Sequence, residues 1–128
     1  MSPIRVAETI AQATRENRGV VVGYLPIGFP DLSTSVEAAV ALAEEGFDVL
    51  ELGVPYSDPV MDGPVISRST QRALEAGFKL RDLFPAIAEI TSCVSIPVLV
   101  MTYWNPVVQY GIERFTKDLV DSGASGLI

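Results

Sequence analysis

Short apolar runs alternate with amphipathic helical segments along the chain, and this alternation restricts the possible folds more than any other feature. The runs are brief and rich in β-branched residues, which is typical of strands buried on both faces; they lie at 20–25, 48–54, 97–103 and 123–128. Strands that alternate with helices form right-handed β-α-β crossovers and therefore a parallel sheet. We predict an α/β fold in a single domain that covers residues 1–128.

The composition excludes several classes of function. Nearly half of the 128 residues are hydrophobic (48%) and the net charge is −7, with the nine basic residues scattered, so a nucleic acid or an anionic lipid surface is a poor partner. The chain contains no histidine. Imidazole acid–base catalysis, a Ser/His/Asp triad and a histidine-ligated metal are therefore excluded, and proton transfer falls to other groups.

Cysteine usage and the apolar segments bear on location. Cys93 is the only cysteine, which excludes an intrachain disulfide and a thiolate-rich metal site, and we expect its side chain to be buried. The first twenty residues lack the apolar block of a signal peptide, and no later run has the length of a membrane span. We expect a cytoplasmic protein without a bound metal.

The loops that follow the strands are the expected place for chemistry. In parallel α/β folds, functional groups gather at the carboxyl ends of the strands. Three such loops are predicted, at 26–31, 55–64 and 104–111, and the second is the richest because it holds Asp58 and Asp62 among three prolines. Both aspartates suit a reactive site, but aspartate is also common in turns and helix caps.

Glu51 is the sharpest feature because it interrupts the apolar run at 48–54. A buried carboxylate is costly unless it is paired or protonated, and one held in a rigid wall can both donate and accept a proton. The residues alone fit equally well a structural acid that is satisfied by an arginine or by backbone N–H groups. Tyr24 and Tyr103, near the ends of the first and third strands, suit either a pocket wall or core packing.

Three segments carry a resemblance to a known family. ELGVPYSDPVMDGP at 51–64, YLPIGFPD at 24–31 and MTYWNP at 101–106 closely resemble stretches of the tryptophan synthase alpha chain family. The resemblance covers essentially all 128 residues. It implies a TIM (β/α)8-barrel fold, of which this sequence matches about half: an N-terminal helix and four parallel strands alternating with helices. We expect the sequence to be an incomplete chain.

The resemblance implies a carbon–carbon lyase of tryptophan biosynthesis. The family cleaves indole-3-glycerol phosphate to indole and glyceraldehyde 3-phosphate in a retro-aldol reaction. Glu51 matches the family's acid–base glutamate, and Asp62 matches the aspartate that holds the indole N–H. Tyr24, Met101 and Tyr103 match positions that border the indole pocket.

The resemblance also implies a partner. The family docks on a beta chain, a pyridoxal-phosphate enzyme, in an alpha2beta2 heterotetramer, and the alpha chain itself binds no cofactor. The matching docking positions are Pro55, Asp58, Pro59 and Asn105. Met61 and Trp104 depart from the residues most common in the family.

The family's phosphate-binding glycine loops lie in the half of the barrel that these 128 residues do not match. We therefore expect the 128-residue chain alone to be inactive. An alternative of a different class is a non-catalytic half-barrel module that associates with itself or with a partner, since open sheet edges favour association.

Overall fold

The computed structural model describes residues 4–128. The helices α1 to α6 span Val6–Arg15, Leu32–Glu44, Pro64–Glu75, Leu83–Cys93, Trp104–Tyr110 and Ile112–Asp121. The strands β1 to β4 span Val22–Pro26, Val49–Gly53, Val98–Met101 and Gly126–Leu127. A single 3₁₀ turn at Leu80–Asp82 leads into α4.

The four strands form one parallel sheet in the order β1-β2-β3-β4, so each strand pairs with its neighbour in the sequence. Within this sheet Tyr24 pairs with Glu51, and Gly53 pairs with Met101. The predicted parallel α/β architecture is confirmed. Because the strands are parallel, their carboxyl ends and the loops that follow them meet at one edge of the sheet.

The core lies between the sheet and its covering helices. Leu50 and Leu52 of β2 are fully buried, as is Ile87 of α4, and α2 packs against α4 over the same layer. Each such side chain contributes roughly 2 kcal/mol through burial. Because side chains alternate along a strand, the row that contains Glu51 lies on the face of β2 opposite these leucines.

The segment after β3 differs from the prediction. We expected a loop over 104–111, but Trp104–Tyr110 form the short helix α5. The Asn-Pro pair suggests a turn, yet Pro106 stands in the first helical turn, where a backbone N–H has no intrahelical partner in any case. The helix ends at Gly111, whose positive φ of 103° suits glycine.

Asp48 is a buried acid at the amino end of β2, on the side of the sheet away from the loops that follow the strands. Asp48 accepts hydrogen bonds from the Val21 N–H at 2.9 Å and from the Arg18 guanidinium at 2.8 Å. These two contacts, the backbone N–H first, hold the pKa of Asp48 below its usual range. They join the segment before β1 to the start of β2.

Two further observations concern the surface. The expected burial of Cys93 is wrong: it is the last residue of α4 and its side chain is exposed, because the helix ends facing solvent. Within residues 4–128, no helix has both the length and the apolar character needed to cross a membrane.

Candidate active site

Glu51 stands in the middle of β2 and is half-buried. Its strand neighbours are aromatic on one side, Tyr24, and aliphatic on the other, Leu99. The ion pairs formed within residues 4–128 do not involve its carboxylate, and neither do the side-chain hydrogen bonds of that part of the chain. The described residues therefore supply no structural partner for this acid.

Tyr24 reaches across β2 toward the carboxyl end of the sheet. Its side chain is half-buried, and its hydroxyl lies so close to Gly53 that a Cβ built there would stand 2.1 Å from the oxygen. Burial is the main reason that the pKa of Tyr24 is raised to about 12, and the neighbouring charges of Asp62 and Glu51 add to the effect. The hydroxyl is thus a neutral hydrogen-bond donor near both acids.

Asp62 belongs to the loop that connects β2 to α3, and it is half-buried. The preceding residue, Met61, donates its backbone N–H to the Tyr103 hydroxyl at 2.9 Å. On the other side, the Asp62 carbonyl accepts a hydrogen bond of 3.3 Å from the Ser67 hydroxyl of α3. These two contacts hold the loop between α3 and the residues just beyond β3.

The remaining members of the cluster come from β3 and the residues just beyond it. Met101 ends β3, is half-buried and pairs with Gly53, the residue under the Tyr24 hydroxyl. The Tyr103 ring packs on Tyr56 with centroids 5.4 Å apart. The structure therefore brings five predicted site residues to one edge of the sheet, namely Tyr24, Glu51, Asp62, Met101 and Tyr103.

The predicted partner-binding residues divide into two groups. Asp58 and Asn105 are exposed, and Pro59 is half-buried. Pro55 is different, because it is buried directly after β2.

Sequence reasoning missed the residues that hold this edge together. Tyr56 accepts a hydrogen bond from Asn105 Nδ2 at 3.1 Å, which links the loop after β2 to α5, and Gly53 gives the Tyr24 hydroxyl its space. A glycine in a strand interior is a sign of such close approach, and it could have indicated Gly53. Around the same edge, large apolar side chains are exposed: Val60 at 85%, Met61 at 80% and Trp104 at 60%.

The acids of the described chain do not form a metal site. Across residues 4–128, no three cysteine, aspartate or glutamate side chains are grouped so that they could hold a metal ion. The chemistry open to this arrangement is proton transfer by a carboxylate beside the Tyr24 hydroxyl and an apolar wall.

Comparisons with known proteins identify relatives of this chain. The family model described as tryptophan synthase alpha chain matches residues 10–128. The tryptophan synthase alpha chain of Leifsonia xyli subsp. xyli is 66% identical over 124 residues, which are 97% of this chain and 48% of that protein. The chain thus spans about half the length of the curated relatives that it matches.

Solved structures give the same result. Tryptophan synthase from Mycobacterium tuberculosis superposes with a TM-score of 0.92 at 44% identity, covering 98% of this chain and 49% of that one. The tryptophan synthase complex from Pyrococcus furiosus gives a TM-score of 0.81 at 38% identity, covering 85% and 45%. Structures of this family are TIM barrels, and the four parallel strands here correspond to half of one. The chain belongs to the tryptophan synthase alpha chain family.

Proposed function

We propose that this chain forms part of an enzyme that cleaves indole-3-glycerol phosphate to indole and glyceraldehyde 3-phosphate. The observation that carries the proposal is the position of Glu51: a half-buried carboxylate, without a cation or hydrogen-bond partner among the described residues, in the middle of β2. Membership of the family supports the choice of substrate.

Glu51 is the proposed acid and base. It donates a proton to the indole carbon that bears the glycerol chain, which makes the ring an electron acceptor. It then removes the proton of the adjacent glycerol hydroxyl, so that the O–H electrons form the aldehyde C=O and those of the breaking carbon–carbon bond return to the ring. A single carboxylate near both atoms suffices for these two transfers.

Asp62 is proposed to hold the indole N–H while positive charge develops on the ring. A fixed negative group is most effective when it is already in place before the charge appears. Tyr24, Met101 and Tyr103 then form the apolar wall against the indole ring. The Tyr24 hydroxyl, whose pKa is raised from the ordinary value of about 10 to about 12, is protonated at working pH.

A beta chain is the proposed partner. The exposed Asp58 and Asn105, the half-buried Pro59 and the apolar side chains of Val60 and Trp104 at the same edge support a docking surface there. The similarity to the tryptophan synthase complex from Pyrococcus furiosus also supports it. We propose an alpha2beta2 assembly in which pyridoxal phosphate belongs to the beta chain, and a cytoplasmic location.

The substrate phosphate is proposed to bind to residues outside this sequence, since the chain spans about half of its relatives. The test therefore uses the full-length protein with its beta chain. Indole release is measured by mass spectrometry after addition of indole-3-glycerol phosphate, and glyceraldehyde 3-phosphate is measured in parallel. We expect equal amounts of the two products. No release under conditions in which another alpha chain is active would contradict the proposal.

A further inference from the structure

The loop between β2 and α3 carries Asp62 but has little packing of its own at that point. Its residues 54–63 contain no helix or strand. Met61, the neighbour of Asp62, has a side chain that is 80% exposed, and Val60 before it is 85% exposed. Apolar side chains that face solvent do not fix a backbone, so polar contacts of the backbone hold the loop near Asp62. One of them is the hydrogen bond of 3.3 Å from the Ser67 hydroxyl to the Asp62 carbonyl.

The Tyr103 hydroxyl supplies a second and shorter contact of this kind. It accepts the Met61 N–H at 2.9 Å. Met61 directly precedes Asp62 and lies 42 residues before Tyr103 in the sequence. We propose that Tyr103 is a positioning residue, whose hydroxyl holds the Met61 backbone and thereby sets the place of the Asp62 carboxylate relative to Glu51. The proposal deepens the proposed function and rests on it for the role of Asp62.

Tyr103 is itself held firmly, which is what a positioning residue requires. It lies two residues beyond the end of β3, and β3 is joined to β2 through the hydrogen bond from Val54 N–H to the Met101 carbonyl at 2.9 Å. Its ring packs on Tyr56, with centroids 5.4 Å apart. Tyr56 is tied in turn to Asn105 at 3.1 Å. The Tyr103 hydroxyl therefore has a fixed position relative to the strand of Glu51.

Loss of the Tyr103 hydroxyl should lower the rate of the proposed reaction. A catalytic group displaced by about 1 Å can lose on the order of a hundredfold in rate. Without the hydroxyl, the Met61 backbone loses this hydrogen bond and the adjacent Asp62 carboxylate is held less firmly. A partial loss of about tenfold is therefore expected, which is the size of effect that one neutral hydrogen bond can produce.

The test uses the full-length alpha chain in complex with its beta chain. Tyr103→Phe removes only the hydroxyl and keeps the ring against Tyr56. We expect kcat for indole release to fall about tenfold while KM changes by less than about threefold, because Asp62 acts as charge develops. The matched control is Tyr110→Phe, whose hydroxyl donates to Asp118 on α6, and its kcat should match the parent. An unchanged kcat in Tyr103→Phe overturns the proposal.

A second measurement separates positioning from a general structural effect. If Tyr103 acts through Asp62, Tyr103→Phe causes little further loss in an Asp62→Asn background. An equal loss in both backgrounds overturns the proposal. The third readout does not depend on activity: amide hydrogen exchange at Met61 should become at least about tenfold faster in Tyr103→Phe and remain unchanged in Tyr110→Phe. Unaltered exchange at Met61 would show that the Tyr103 hydroxyl does not hold the Met61 backbone, and it would overturn the proposal. Full activity of Asp62→Asn, by contrast, would contradict the role of Asp62 in the proposed function and would not change the hydrogen-exchange result.

Discussion

The hydroxyl of Tyr24 lies directly against the backbone of Gly53, on the neighbouring strand. A Cβ placed on Gly53 would stand 2.1 Å from this oxygen and 2.7 Å from the ring carbon that carries it. No side chain fits at such distances, so the glycine is what allows Tyr24 to cross β2 beside Glu51. This relationship leads to the first prediction.

Gly53→Ala should displace Tyr24 and open the wall of the site. We expect kcat/KM for indole release by the full-length protein to fall by roughly tenfold or more, because the misplaced ring disturbs the position of the substrate against Glu51. Gly19→Ala is the control, since a Cβ at Gly19 meets nothing within 4 Å. Equal kinetics for the two variants would show that Tyr24 does not shape the site.

The pKa of Tyr24 should depend on the charges of Asp62 and Glu51. Burial and the charges of Asp62 and Glu51 raise the pKa of Tyr24 to about 12, so Asp62→Asn should lower it toward the ordinary value of about 10. The sign follows because loss of a nearby negative charge makes the tyrosinate easier to form. The measurement is a pH-jump titration of tyrosinate absorbance, with Tyr24→Phe to assign the signal. A pKa that is the same with and without Asp62 would mean that the carboxylate is not near the hydroxyl.

Asp48 should contribute stability that depends on pH. Its pKa is lowered in the folded chain, so the contribution is present above the unfolded value of about 4 and is lost as pH falls through the folded pKa. Asp48→Asn should therefore lower the urea midpoint of the full-length protein at pH 7, and the difference from the parent should shrink toward pH 3. Asp121→Asn, which breaks an exposed pair with Lys117, is the control and should have little effect at either pH. A deficit for Asp48→Asn that does not change with pH would contradict the assignment.

Asp58 should affect the partner and not the chemistry. Because its carboxylate is exposed at the proposed docking edge, Asp58→Ala should raise the Kd for the beta chain by about tenfold, the effect of removing one contributing contact of an interface. Glu113→Ala, on the exposed face of α6, is the control with an equal change in charge. Titration calorimetry of the two variants decides the point, and identical Kd values would place Asp58 outside the interface.

The sequence predicts the strands and helices around this site better than the contacts between its side chains. The apolar runs indicate four parallel strands, and the resemblance of residues 51–64 to a family motif directs attention to Glu51 and Asp62. By contrast, the helix at Trp104–Tyr110 was predicted as a loop, because Asn-Pro is a turn signal unless the proline falls in a first helical turn. Local sequence patterns predict helices and strands well, because the physical causes of these elements lie in neighbouring residues.

The contacts that remained hidden depend on groups far apart in the sequence. Nothing local to Met61 indicates that its N–H meets the Tyr103 hydroxyl 42 residues later. The burial of Pro55 and the exposure of Cys93 are likewise set by what packs, or fails to pack, against them. Such features follow from tertiary packing, which the sequence does not display.

In the proposed reaction Glu51 transfers the protons between itself and the substrate, and the variant Glu51→Gln tests this role. Glu51→Gln in the full-length protein with its beta chain keeps the shape of the side chain and removes its ability to exchange a proton. We expect Glu51→Gln to bind indole-3-glycerol phosphate with a Kd within about threefold of the parent, while its rate of indole release falls by on the order of a hundredfold or more. Indole release at a near-normal rate by Glu51→Gln would contradict the account.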